Sequence, residues 1–141
     1  RVTRAFTPAL AAAGGSVVMI NSVVVKHSMM QYGPYKLAKQ ALLAAAQSLA
    51  TDLGPQGIRV NTVAPGHIWA DSLKFGFQMM ADARGDGTTM QDIYDETAKE
   101  MDLGRLPEPD EIADAALFFC SDLSRAVTGQ CLEVSCGWFH H

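Results

Sequence analysis

The chain has 141 residues, 48% of them hydrophobic and 18% charged, with a formal net charge of −4. That length suits one domain with a core of its own, and the composition is that of a soluble globular α/β protein. An acidic balance without a basic run argues against nucleic acid as a partner, and no apolar stretch approaches the roughly 20 residues that span a bilayer.

Arg1 and Arg4 precede an apolar stretch ending in Ala11-Ala12-Ala13, which mimics a signal peptide. Pro8 interrupts it and Gly14-Gly15 leads straight into a strand, so that reading is rejected in favour of a helix over 2–12 closed by the two glycines. Ser16 to Asn21 is a continuous apolar run, the mark of a parallel strand covered on both faces. Pro34 to Leu53 predicts a long helix, with Pro34 in the first turn where a missing N–H is harmless. Its polar residues fall on a narrow stripe, so it calls for cover on two sides, by a sheet and by something else such as a partner subunit.

Ile58 to Val63 predicts a second strand, ended by Ala64-Pro65-Gly66. Asp71 to Ala83 predicts a helix, and Thr88 or Thr89 caps another bearing Met90, Ile93, Tyr94 and Met101. This Met- and aromatic-rich excursion over 71–103 is expected to be a substrate lid, with a helical pair packed on the core as the alternative. Pro109 to Ser121 predicts another helix, with acidic residues at its positive end, and Gln130 to Ser135 a third strand. The alternation implies right-handed crossovers and a parallel sheet. Three strands leave the first with an open edge, and the chain opens on Arg1 rather than Met. The rest of the sheet is therefore expected upstream.

Cys120, Cys131 and Cys136 are odd in number and form no CxxC pair, which speaks against disulfides or zinc and for buried thiols in a reducing cytoplasm. His140-His141 is assigned no role and no metal site is expected.

Ligands of open parallel sheets bind beyond the carboxyl ends of the strands. Ser22 follows the first strand there and Pro65-Gly66 follows the second, while the long helix opens with Tyr35 and Lys39, four apart and so on one face. Tyr32 and Lys36 repeat the spacing. Gly33 and Pro34 place Tyr32 before the helix, which leaves Tyr35 and Lys39 as the usable pair.

Ser22, 13 residues before Tyr35, with Lys39 and the run Ile58-Arg59-Val60-Asn61-Thr62-Val63-Ala64-Pro65-Gly66, together resemble the short-chain dehydrogenase/reductase family. The resemblance continues through Gly104-Arg105-Leu106-Pro107 and Val127-Thr128-Gly129-Gln130, and covers essentially the whole chain. It implies a Rossmann-like doubly wound parallel sheet, of which residues 1–141 are the C-terminal catalytic part. It also implies an oxidoreductase moving a hydride between NAD or NADP and a secondary alcohol or ketone, and a homodimer or homotetramer.

The implied roles are residue by residue. Tyr35 is general acid/base; a free phenol titrates near ~10, and an ammonium one turn away favours the phenolate. Lys39 supplies that ammonium, lowering the pKa of Tyr35, and holds the nicotinamide ribose. Ser22 polarises the substrate oxygen. Pro65, Gly66 and Ile68 form the nicotinamide-side loop, where Gly66 permits close backbone approach. Ala70 stands where the family often has threonine, Asn21 where many members have a second serine, and Cys136 in place of a glycine. Asn61 is read as fixing the strand and its loop rather than performing chemistry. The glycine-rich turn that seats a pyrophosphate on a helix N-terminus is not found in this chain. A non-catalytic oligomerisation or binding module, and a non-redox family member, are the alternative readings. The few basic residues of 71–103 favour a hydrophobic or cyclic ketone, or a 3-oxoacyl thioester, over a phosphorylated sugar.

Overall fold

Three parallel strands in the order β1-β2-β3 carry the architecture of the computed structural model, which describes residues 2–28 and 32–140. Arg1 and His141 lie outside the described residues. β1 is Ser16–Ile20, β2 Arg59–Pro65 and β3 Cys131–Val134. Ser16 pairs with Arg59 and Ile20 with Val63, while Thr62 pairs with Cys131 and Pro65 with Val134. The parallel, Rossmann-like sheet agrees with the sequence reading.

The helices follow the expected order: α1 Val2–Ala13, α2 Gly33–Leu53, α3 Asp71–Arg84, α4 Met90–Ala98 and α5 Pro109–Cys120. After α1 the Gly15 N–H donates to the Leu10 carbonyl at 2.8 Å, with Gly14 left-handed at φ 59°, so the two glycines close the helix. Thr89 caps α4 through a reciprocal box with Asp92.

Side chains alternate across the sheet and build a core on each face. Val17, Met19, Ile58 and Val60 pack with Leu10 of α1 and with Ala46, Ala50 and Leu53 of α2. Val18, Val63 and Val134 pack with Ile112 and Phe119 of α5. A third cluster ties Phe77 and Ala81 of α3 to Ile93 and Ala98 of α4, with Leu106 beneath them. Residues 71–98 are thus a helical pair with its own apolar contacts.

The chain by itself supplies only part of the cover that α2 and β1 call for. Only Ala46, Ala50 and Leu53 of α2 are buried, and Leu37 is 74% exposed, so within this chain the helix is covered on one side. β1 is only half-buried and its outer edge pairs with no strand among the described residues. The expectation of buried thiols is corrected: Cys120 is exposed, and Cys131 and Cys136 are partly buried.

β2 is laced to the segment before β3 by side chains. Asn61, fully buried, donates through Nδ2 to the Val127 carbonyl at 2.9 Å and accepts from the Gln130 N–H at 3.0 Å. The Val60 N–H donates to Thr128 Oγ1 at 3.0 Å, and the Gly129 N–H to the Val60 carbonyl at 2.7 Å. Asn61 therefore acts as structure, as its place in the run suggested.

Candidate active site

Ser22 stands just past the carboxyl end of β1 in extended conformation and caps a short 3-10 turn, Val23–Val25. The three valines are 2–4% exposed, and their burial fixes the turn against the sheet. The Val24 N–H donates to Ser22 Oγ at 3.4 Å, which uses an acceptor site and leaves the hydroxyl proton available to a ligand.

Asn21, 4% exposed, binds this turn to α2. Its Oδ1 accepts the Ser22 N–H at 3.0 Å and its Nδ2 donates to the Lys39 carbonyl at 3.1 Å. The Gln40 amide donates to the Val25 carbonyl.

Tyr35 lies in the first turns of α2, half-exposed, with the Lys39 ammonium 5.6 Å from its ring centroid. Lys39 Nζ also donates to the Ile20 carbonyl at 3.3 Å. The decoy pair separates for a different reason from the one the sequence suggested. α2 begins at Gly33, Tyr32 is its cap residue, and the Lys36 N–H donates to the Tyr32 carbonyl at 2.7 Å. Tyr32 and Lys36 therefore are one turn apart at the helix start. What divides the pairs is the ammonium: Lys36 Nζ donates to Ser28 Oγ at 2.9 Å, whereas Lys39 faces Tyr35.

The loop after β2 is held from both sides. The Gly66 N–H donates to the Val134 carbonyl at 3.0 Å and the Trp69 N–H to the Pro107 carbonyl at 2.8 Å. A Cβ on Gly66 would come within 2.9 Å of Ser135 Cβ, so only glycine allows this approach.

A cavity of about 430 Å³ lies between these segments. Ser22, Tyr35, Gly66 and Ile68 line it together, with Tyr32, whose ring meets Tyr35 edge-on at 6.0 Å. Lys39 and Pro65 are not among the residues that line it. From 71–103 only Ser72 and Leu73 of α3 line it. His67 and Trp138 complete a wall, their rings 4.2 Å apart. Burial pushes the His67 imidazole below its ordinary 6.5, against the upward pull of the Glu100 carboxylate. No Asp, Glu, Lys or Arg side chain lines the cavity among the described residues.

Asn21, His67 and Trp138 are the site features that sequence reasoning did not assign. The signal for Trp138 was its place just beyond the carboxyl end of β3, where ligands of parallel sheets bind. Asn21 stood out only as a departure from a serine.

A sheet of this topology with a Ser–Tyr–Lys constellation at its carboxyl edge defines the class, and the comparisons agree. A family model described as enoyl-(acyl carrier protein) reductase matches residues 1–139. The 3-oxoacyl-(acyl-carrier-protein) reductase of Chlamydia trachomatis is 33% identical over 130 residues, which are 92% of this chain and 47% of that protein. The 7alpha-hydroxysteroid dehydrogenase of Escherichia coli is 33% identical over 124 residues, 88% of this chain and 44% of that protein. The L-sorbose reductase of Gluconobacter frateurii, solved with NADPH and L-sorbose, superposes with a TM-score of 0.89 at 23% identity, over 99% of this chain and 53% of that one. The chain belongs to the short-chain dehydrogenase/reductase family, whose members here are oxidoreductases. It spans about half the length of the curated relatives it matches.

Proposed function

We propose that this chain carries the nicotinamide-side, catalytic part of an NAD(P)-dependent oxidoreductase acting on a secondary alcohol or ketone. The observation that carries the reading is the meeting of Ser22 and Tyr35 on one cavity, with the Lys39 ammonium 5.6 Å from the tyrosine ring. The cofactor, when bound, supplies or accepts the hydride. The residues present fit its nicotinamide end: Gly66, which lacks a Cβ and so packs closely on Ser135, and Ile68 face the same cavity as Ser22 and Tyr35. Pro65, Gly66 and Ile68 hold the carboxamide side, and Lys39 the ribose hydroxyls.

The chain's own chemistry is then proton transfer and orientation. In the reducing direction Ser22 donates its free hydroxyl proton as a hydrogen bond to the substrate carbonyl and fixes its position. Tyr35 gives its phenolic proton to the same oxygen as it becomes an alkoxide, and takes it back in the oxidising direction. The Lys39 ammonium stabilises the phenolate that remains. On this reading residues 1–141 are the C-terminal part of a single Rossmann-like domain, and 71–103 its substrate lid. The uncharged cavity supports a hydrophobic or cyclic ketone, or a 3-oxoacyl thioester, over a phosphorylated sugar. The leucine and alanine face of α2 supports a homodimer or homotetramer, and the free thiols a cytoplasmic location.

The test is Tyr35→Phe in the protein expressed from its complete reading frame, assayed with NADH and NADPH against a panel of ketones. Turnover is expected to fall by about 10²–10⁴-fold, the contribution of one positioned acid–base group, with the melting temperature unchanged. Activity close to that of the unaltered protein would remove Tyr35 from the role.

A further inference from the structure

Resting on that reading of the cavity, we propose that Trp138 is the residue that selects the substrate. Its indole face receives the uncharged ring or alicyclic portion of a ketone whose oxygen lies at Ser22 and Tyr35, and Glu100 holds it in place. Nothing in the proton transfer needs Trp138, yet its side chain lines the reaction cavity.

Its geometry is that of a prepared surface. The indole N–H, a donor only, is taken by Glu100 Oε2 at 3.1 Å, so the polar edge is satisfied and what remains is an apolar face. The ring is tilted 45° against His67 at 4.2 Å and stacks on Phe139 at 4.7 Å. Phe139 in turn stacks on His27 at 3.5 Å, in the segment that begins at Ser22. The backbone N–H of Trp138 donates to Ser135 Oγ at 3.3 Å. A flat side chain held on several sides loses little freedom when a ligand packs on it, which is how an aromatic residue becomes a selective contact.

The same contacts tie this wall to the helical pair. Glu100 lies in the turn after α4, the Leu103 N–H donates to the Cys136 carbonyl at 3.1 Å, and His140 meets Asp102 at 2.6 Å.

The experiment uses the protein from its complete reading frame with NADH or NADPH, cyclohexanone as the small probe and 2-decalone as the large one. Trp138→Ala is expected to raise KM for cyclohexanone about tenfold or more with kcat little changed, the signature of lost binding contact. It is also expected to raise kcat/KM for 2-decalone relative to cyclohexanone. Glu100→Ala reproduces the KM effect in milder form, and Glu100→Gln, which keeps an acceptor for the indole N–H, restores it. Unchanged KM for both ketones, or equal loss of kcat for both at constant KM, overturns the assignment. Should Trp138→Ala fail to fold, Trp138→Phe and the Glu100 pair decide the matter by the same split.

Trp69→Phe leaves Trp138 as the one tryptophan of these 141 residues, and its fluorescence reports ligand independently of turnover. Any tryptophan elsewhere in the reading frame is replaced by phenylalanine as well. Saturable quenching by cyclohexanone without any nicotinamide oxidation supports the wall and overturns the redox reading. Turnover without quenching overturns the wall alone, and neither signal overturns both.

Discussion

Asn21 uses a single side-chain amide on both halves of the candidate site, accepting from the Ser22 N–H and donating to the Lys39 carbonyl. A serine there would be too short to bridge the two, so the serine-to-asparagine departure changes how the loop is held rather than removing a function. Asn21→Ala leaves the partly buried Ser22 N–H without its side-chain partner, at about 1 kcal/mol. It is expected to lower the unfolding free energy by that amount and to reduce kcat more than KM, because the proposed proton-transfer pair is held less closely. Denaturant melts and steady-state rates on the same samples check this; two unchanged values would make Asn21 a bystander. At this scale the sequence was informative where spacing fixes geometry. Tyr35 and Lys39 share a helix face by arithmetic, and Ser22 follows the strand end. It was silent where contact depends on residues far apart in the chain. Trp138 reaches Glu100 across 38 positions, and no periodicity encodes that.

Helix α5 shows the same division among elements. Its start was legible from Pro109 and the acidic cluster, and the structure adds the mechanism. Glu111 accepts the Glu108 N–H at 2.8 Å and takes both arms of the Arg105 guanidinium at 2.6 and 2.7 Å. Arg105, followed by the Glu108 N–H, holds the Glu111 carboxyl at about 2, well below its ordinary 4.5. The folded state therefore binds this proton less tightly than the unfolded chain. The resulting stabilisation is complete above about pH 4.5 and disappears as pH falls through about 2. Glu111→Gln is expected to flatten the fall in melting temperature across that acid window and leave the profile above it parallel to that of the unaltered protein; an unchanged acid slope would contradict the assignment. The far end of α5 was not legible. Arg59, read only as part of a strand motif, donates to the carbonyls of Phe119, Ser121 and Ser124 at 2.8–3.2 Å and so closes the helix from a neighbouring strand. The 3-10 turn of Val23–Val25 was likewise hidden, since nothing in three consecutive valines signals a turn until burial bends them around Ser22.

At the scale of the whole molecule, apolar surface is the dominant unspent quantity. Val2 is 73% exposed, Leu37 74% and Leu117 64%, and the outer edge of β1 presents its backbone groups to no strand among the described residues. Such a surface favours self-association of a chain left by itself. Expressed alone, residues 1–141 are expected to form concentration-dependent aggregates and to melt without a sharp transition. A monomer by sedimentation that unfolds cooperatively would refute this. The α/β class and strand order were visible in the alternation of apolar runs and helical stripes. The extent of cover was not, because burial on α2 and β1 depends on what lies against them. The lacing of Asn61, Val60, Thr128 and Gly129 has a consequence for how such a chain can vary. Between Val127 and Gln130 the spacing is counted out by bonds to adjacent positions of β2, so an inserted residue there would unthread the central strand. The exposed Gly85-Asp86-Gly87 turn between α3 and α4 has no such count, and length polymorphism, epitope tags or reporter cassettes belong there.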